Sequence, residues 1–216
     1  GGHVSHLRKE DGQSGEADDD KVELAPRVAQ VGAAMAHEAV REDLEKRAHK
    51  AMAVLNPLKV VIINWDQEPR DLEVAWHPQN PDYGSRIMQF GRELYINRSD
   101  FNMNPPEGFF RLRPGGAVRL KYGFIVDFEK VIFDVNGDVI EVHVRFDPNT
   151  RSGQDQSGRK VKGTIQWVAV HQADEIVVRL YDRLFTVDQP GSFDDPSDCL
   201  NADSLIEQFA WVEPAV

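Results

Sequence analysis

The sequence predicts a mainly β fold, a barrel or sandwich of short strands behind one helix. Two patterns carry that expectation. From Leu55 onward, alternating or β-branched runs of strand length recur, with Gly, Pro and Asn between them. Ahead of them, residues 25–50 repeat apolar side chains at helical spacing. A third signal fixes one connection: Asn136-Gly137 lies between two strand-like runs, the dipeptide that tight hairpins favour.

In order, residues 1–24 are rich in Gly, Asp and Glu with almost nothing to bury, so a flexible lead-in is expected. No Met opens the chain, which predicts a fragment or a processed product. Over residues 25–50, Pro26 suits a first helical turn, and Val28, Val31, Met35, Ala39, Leu44 and Ala48 form a narrow apolar stripe. Arg41 and Glu45 lie on the other side, spaced to pair. Leu58–Ile63 is β-branched, Leu72–Trp76 alternates, and Ile87–Ile96 breaks at Gly91. Pro114-Gly115-Gly116 marks a turn after Phe109–Leu112. Val118–Tyr122 alternates and is expected to run on through Phe124 to Phe133. In the return strand, Ile140, Val142, Val144 and Phe146 share one face, which should be core. Residues 147–158 are polar and turn-rich. Lys160–Val170 and Glu175–Val187 read as two more strands, 190–204 as loop or short helix, and Ser204–Trp211 as the start of another element.

The net charge of −11 is unevenly spread. Residues 1–23 hold seven acids against three bases, and 184–216 hold seven acids and no base, which leaves 22 of each between them. Within that neutral centre, residues 151–163 carry Arg151, Arg159, Lys160 and Lys162 against Asp155 alone. Nucleic-acid affinity follows local cation density, because counterions are released only where phosphates are touched. The acidic total therefore argues against indiscriminate coating of nucleic acid, and leaves a local RNA contact open. The lone Cys199 has no internal partner, which fits a reducing cytosol. No apolar run approaches the roughly 18 residues of a membrane helix.

Gly158-Arg-Lys-Val-Lys-Gly163 is the most informative stretch. It sets three cations at the mouth of the apolar run that holds Ile165 and Trp167, between two turn-forming glycines. Paired Arg and Lys suit phosphate oxygens and base edges, and a bidentate Arg distinguishes guanine. In an extended run Lys160 and Lys162 share one side. The plain alternative is a solvated hairpin end. Arg151 folds over the same surface or pairs with Asp147 or Asp155. Arg119 and Lys121 extend the basic surface, or simply face solvent. Phe90, Tyr83 and Trp76 flank a loop holding Arg86 and would receive unstacked bases, although barrel aromatics are more often core. Trp167 is expected in the core.

This stretch resembles the anticodon-binding region of glutaminyl-tRNA synthetases. Further segments agree in the family's order: Val40–Leu44 with Ala51–Lys59, His77–Pro81 with Gly84–Arg86, Arg92–Ile96, and Val178–Phe185. The resemblance runs from about Ala36 to Pro214. It implies two small β-barrels in tandem, preceded by one α-helix: a connector over 25–50, a first barrel over 51–157 and a second over 158–216. The family continues past a stretch like Phe209–Pro214 with strands that complete the second barrel, so that barrel is expected to be C-terminally incomplete. The resemblance also implies a task. Arg159, Lys160, Lys162, Arg151, Arg86, Arg119 and Lys121 would contact the tRNA(Gln) anticodon stem-loop, with Arg86 in a loop on the anticodon side. The family's Arg179-Leu-Tyr-Asp-Arg183 pattern reads as a structural Arg–Asp fork about Asp182.

The family's ATP signatures, His-Ile-Gly-His and Lys-Met-Ser-Lys-Ser, are absent, and no glycine-rich phosphate loop opens a helix. No cofactor is expected in this piece; ATP and Mg²⁺ would belong to a catalytic domain of the same cytoplasmic enzyme, a glutamine–tRNA ligase acting as a monomer. The seven His show no metal-ligand spacing. Two other readings stand beside this one: a glutamyl-tRNA synthetase of the archaeal or eukaryotic type, and a non-catalytic β-barrel that binds protein.

Overall fold

Strand pairing begins where Ala53 meets the far end of the chain. The computed structural model describes residues 37–214; the expected lead-in and the first half of the connector lie outside the described residues. Residues 37–47 form a helix, α1. Its side chains are exposed all round, Val40 and Leu44 among them, so the expected apolar stripe is not buried over this stretch. Its ion pairs are Lys46–Glu42 at 2.7 Å and Arg47–Asp43, while Arg41 turns to Glu38 at 3.8 Å rather than to Glu45. The helix end docks through His77, whose Nε2 meets the Glu45 carbonyl at 2.5 Å, and through His49 stacked on Trp76.

Among the described residues twelve strands follow. β1 (Ala53–Val54), β2 (Pro57–Ile62), β3 (Arg70–Ala75), β4 (Ser85–Phe90) and β5 (Glu93–Asn97) precede the turn at 98–100. β6 (Ala117–Leu120), β7 (Ile125–Phe133) and β8 (Val139–Asp147) come next. β9 (Thr164–Ile165), β10 (Val168–Ala169), β11 (Asp174–Tyr181) and β12 (Leu205–Val212) are the last four of these. Seven of them form one sheet in the order β10-β5-β2-β8-β7-β6-β9. Its two edges, β9 and β10, are separated only by Gln166 and Trp167. The chain itself therefore joins the edges, and the sheet curls into a barrel.

Trp167 sits at that joint, fully buried, and its Nε1 donates to the Lys121 carbonyl at 2.8 Å. It meets Phe90 edge-on at 5.2 Å, and Phe90 in turn packs on Phe124 at 5.0 Å and on Trp65 at 5.3 Å. Each such buried ring contributes about 1.5–3 kcal/mol through the surface it withdraws from water. β2 lies between two neighbours, and its β-branched run is buried accordingly. On β8, Val142, Val144 and Phe146 point inward as the alternation requires, while Ile140 at the outer end is exposed.

Three expected elements are cut differently. Val118–Phe133 is two strands, because Tyr122 takes a left-handed φ of 64° and the Leu120–Gly123 turn reverses the chain into β7. Lys160–Val170 is strand only at β9 and β10, because Trp167 must leave the ladder to fill the core. The Asn136-Gly137 hairpin forms, yet only Gly137 has positive φ, so it is not the two-residue mirror-image turn. Asp134 closes it instead, accepting from the backbone amides of Asn136 and Asp138 at 2.9 and 2.8 Å.

β9 and β10, which follow the division expected near 158, pair with β6 and β5 and so extend the sheet formed by the strands before it. The second sheet is β1-β12-β11, in which Ala53 and Val54 pair with Val212 and Trp211. Its long hairpin exposes Val177, Leu180, Tyr181 and Phe209. Between its strands, 182–204 is loop with short turns at Pro190–Ser192 and Pro196–Cys199. Arg179 pairs with Glu207 at 2.7 Å across the hairpin and Arg183 with Asp188 at 3.3 Å, so the expected fork on Asp182 is not made. Among the described residues no helix is long and apolar enough to cross a membrane.

Candidate nucleic-acid interface

Gly163 brings the basic stretch against the rest of the barrel. Its backbone lies so close to residue 110 that an added Cβ would fall 1.7 Å from the Phe110 carbonyl oxygen. Only a residue without a side chain permits that approach. The Gly163 carbonyl accepts from the Arg119 amide at 3.0 Å, which registers the segment on β6. As a result Lys160, Val161 and Lys162 form one wall of an open cleft of about 630 Å³, and the 105–117 loop forms the other.

That loop is held from within. Leu112 is fully buried, its amide donates to the Asp100 carbonyl at 3.0 Å, and its carbonyl accepts from Asn102. Gly115 takes a φ of 65°, which turns the chain into β6. Phe110, Arg111 and Arg113 are left outside and exposed. Arg111 Nε lies 3.2 Å from Asp100 Oδ1. Burial pushes the Asp100 carboxyl above its usual range, and the Arg111 charge acts against that shift. Lys162 Nζ stands 4.6 Å from the centre of the Phe110 ring, a cation–π contact on a ring that is 52% exposed.

The cleft thus collects Lys160, Lys162, Arg111 and Arg113, with Glu107 as the acid in its lining. An exposed ring among cations is the arrangement that receives an unstacked base beside its phosphate. Lys160 and Lys162 are exposed and line one cleft, with Val161 between them lining it as well. Neither has a carboxylate partner among the described residues.

Arg159 points elsewhere. Its guanidinium bridges Asp127 at 2.7 and 3.0 Å and Asp147 at 3.1 Å. Hydrogen bonds to those two carboxylates, Asp127 first, raise its already high pKa. A fork occupied in this way is not free for guanine; here Arg159 ties the loop to β7 and β8. Arg119 is likewise engaged, donating to the Thr150 carbonyl at 2.5 Å and to Asp155 at 2.6 Å. Hydrogen bonds from Ser157 and then Arg119 hold the Asp155 carboxyl below its ordinary range. These contacts fix the 150–157 turn. Lys121 is half-buried with its Nζ 5.2 Å from the Tyr122 ring, and does not line the cleft.

Arg86 is buried rather than displayed in a loop. It lies on β4, pairs with Glu213 at 2.7 Å, and stacks on Trp76 at 4.6 Å. The aromatics expected around it are also committed: Phe90 is core, and Trp76 and Tyr83 enclose His49. Arg151 lines a second, smaller cleft with Arg70. Of the seven cations read from the sequence, the first cleft gathers two, Lys160 and Lys162. It adds Phe110, Arg111 and Arg113, which sequence reasoning missed. The signal was present: Phe109-Phe-Arg-Leu-Arg113 sets two aromatics beside two arginines just before a Pro-Gly-Gly turn.

The family of class I tRNA synthetases (E and Q), anticodon-binding domain, matches residues 48–147 in its first part and 164–216 in its second. A glutamine–tRNA ligase of Rhodopirellula baltica is 47% identical over 181 residues, covering 82% of this chain and 30% of that protein. One from Nitrobacter hamburgensis is 45% identical over 179 residues, with 82% and 32% covered, and one from Neisseria meningitidis is 43% identical over 185 residues, with 82% and 33% covered. The chain therefore spans about a third of the length of these relatives. With both parts matched in order, the chain belongs to the anticodon-binding domains of the class I (E and Q) tRNA synthetases.

Proposed function

We propose that this chain is the anticodon-recognition part of a glutamine–tRNA ligase and binds the anticodon stem-loop of tRNA(Gln). The observation that carries the reading is the cleft in which exposed Phe110 stands among Lys160, Lys162, Arg111 and Arg113. The lysines and Arg113 attract the phosphate backbone, and the Phe110 ring takes a splayed base. Arg159 and Arg119 hold the loop rigid, so that contacts form only when the bases fit. The names of the relatives support the glutaminyl over the glutamyl branch. The ligase chemistry, with ATP and Mg²⁺, belongs to a catalytic domain of the same polypeptide, in the cytoplasm, and the chain acts as a monomer.

The test is a titration of the 216-residue chain with a glutamine anticodon stem-loop at two salt concentrations. Binding should weaken with salt, with a logarithmic slope near −0.7 for each phosphate engaged on the single-stranded loop. Lys160→Gln with Lys162→Gln should flatten that slope by about one to two phosphates. A chain that does not bind the stem-loop, or binds with no salt dependence, overturns the proposal.

A further inference from the structure

A second basic cleft is present. It encloses about 240 Å³ and is lined by Arg70 at the start of β3, by Arg151, and by the amide side chains of Asn149, Gln154 and Gln156, with Phe124 among the lining groups. Among the described residues no carboxylate lines it. Arg86, Arg111, Arg119, Arg145, Arg159, Arg179 and Arg183 are each paired with Asp or Glu. Arg70 meets only the Gln67 side chain, at 3.2 Å, and stands 5.8 Å from the Phe124 ring. Arg151 has no side-chain hydrogen bond among the described residues.

The loop that carries Arg151 is built firmly. Thr150 is fully buried; its hydroxyl accepts from the Ile125 amide at 2.8 Å and donates to the Asp147 carbonyl at 2.7 Å. The Gln156 amide donates to the Asn149 carbonyl at 3.1 Å and the Gln154 amide to the Arg151 carbonyl at 2.9 Å. These donors line one cleft that has no built-in acceptor of full charge among the described residues. Two guanidiniums with primary amides beside them match an oxyanion carrying several acceptors, above all a phosphate.

We infer that the Arg70–Arg151 cleft is a phosphate site, which holds a backbone phosphate of the same RNA whose base enters the Phe110 cleft. This rests on the RNA-binding reading above. The two clefts lie on one continuous segment: Gln156 of the second and Lys160 of the first are four residues apart, at most about 14 Å of extended chain. One strand of RNA can run from one to the other. The site touches a phosphate and no base, so it sets position and carries no sequence information.

The test replaces both arginines in the full chain, Arg70→Gln with Arg151→Gln, and compares Arg70→Lys with Arg151→Lys. Binding is measured against the glutamine anticodon stem-loop and a copy with one anticodon base changed, across a salt series. The Gln pair should weaken both RNAs equally, by about ten-fold at low salt. It should also flatten the salt slope by about one phosphate. The Lys pair should keep the slope and lose part of the affinity, since it retains charge without the planar fork. Unchanged melting temperatures would show that the fold is intact. If the Gln pair leaves affinity and slope alone while Lys160→Gln with Lys162→Gln weakens binding, this inference falls and the proposed function stands. If the Gln pair discriminates between the two RNAs, the cleft reads a base and the phosphate assignment is wrong. If the unaltered chain binds neither RNA, both fail together.

Discussion

Glu213 holds Arg86 across 127 residues of sequence. One oxygen of its carboxylate accepts from Arg86 Nε at 3.1 Å, from Arg86 Nη2 at 2.7 Å and from the Met52 amide at 2.9 Å. Both side chains are almost wholly buried, at 4% and 2% exposed. Arg86 completes the arrangement by donating to the Ala75 carbonyl at 3.0 Å. The pair thus fastens the β3–β4 hairpin to the point where the second sheet meets the first. Breaking such a pair strands a charge away from water, which costs about 3–5 kcal/mol. Glu213→Ala should lower the unfolding free energy in urea by that amount, and Arg86→Met with Glu213→Leu should recover most of it. A loss under about 1 kcal/mol for Glu213→Ala would show that water reaches the site and that the pair fastens little.

Gly163 sets the width of the Phe110 cleft. A methyl group there collides with a backbone carbonyl, not with a flexible chain end, so the 160–163 segment must lift from the 105–117 loop. Gly163→Ala should cost about 1–3 kcal/mol or more. It should also weaken RNA binding below the unfolding temperature, because Lys162 leaves the Phe110 ring. By contrast, Gly137→Ala, in the β7–β8 hairpin, where φ is +88° but no atom lies within 4 Å of the added carbon, should cost only about 1–2 kcal/mol of backbone strain and spare the cleft. Equal stability and equal binding for Gly163→Ala and the unaltered chain would show that the segment does not pack as described.

The parts of the fold that local pattern determines were legible in advance. The period of β8 put Val142, Val144 and Phe146 inside, and the break at Gly91 separated β4 from β5. What local pattern does not contain is where a strand must yield to the barrel. Trp167 leaves its ladder because the joint needs a large ring, and Tyr122 adopts a left-handed turn that no residue preference announces. In the site, Lys160 and Lys162 line one cleft, but Val161 between them lines it too, so strand alternation does not account for their placement. The fates of Arg86 and Arg159 depended on acids far off in sequence, Glu213 in one case and Asp127 in the other, and no window of residues reveals such a pairing. Phe110 was hidden for a different reason: an aromatic in a β-rich chain is core by default, and here it is exposed although Leu112, two residues on, is buried.

Arg159 and Lys162 stand three residues apart and should fail differently. Arg159 is bound by two aspartates on neighbouring strands, and its removal frees Asp127 and Asp147 to repel one another and releases the loop between the two clefts. Arg159→Ala should therefore weaken a glutamine stem-loop and a mismatched one by the same factor. It should also speed hydrogen exchange at Gln156 and Ser157, whose amides are held by Asn149 and Asp155. Lys162→Ala leaves those amides protected, because the Gly163 contacts are untouched, and its loss falls on RNA binding and its salt slope alone. Exchange measured by mass spectrometry on the free chain separates the two, since no RNA is needed for it. Preserved protection in Arg159→Ala, together with a larger loss for the matched RNA, would mean that Arg159 exchanges its aspartates for a base in the complex and reads the anticodon directly.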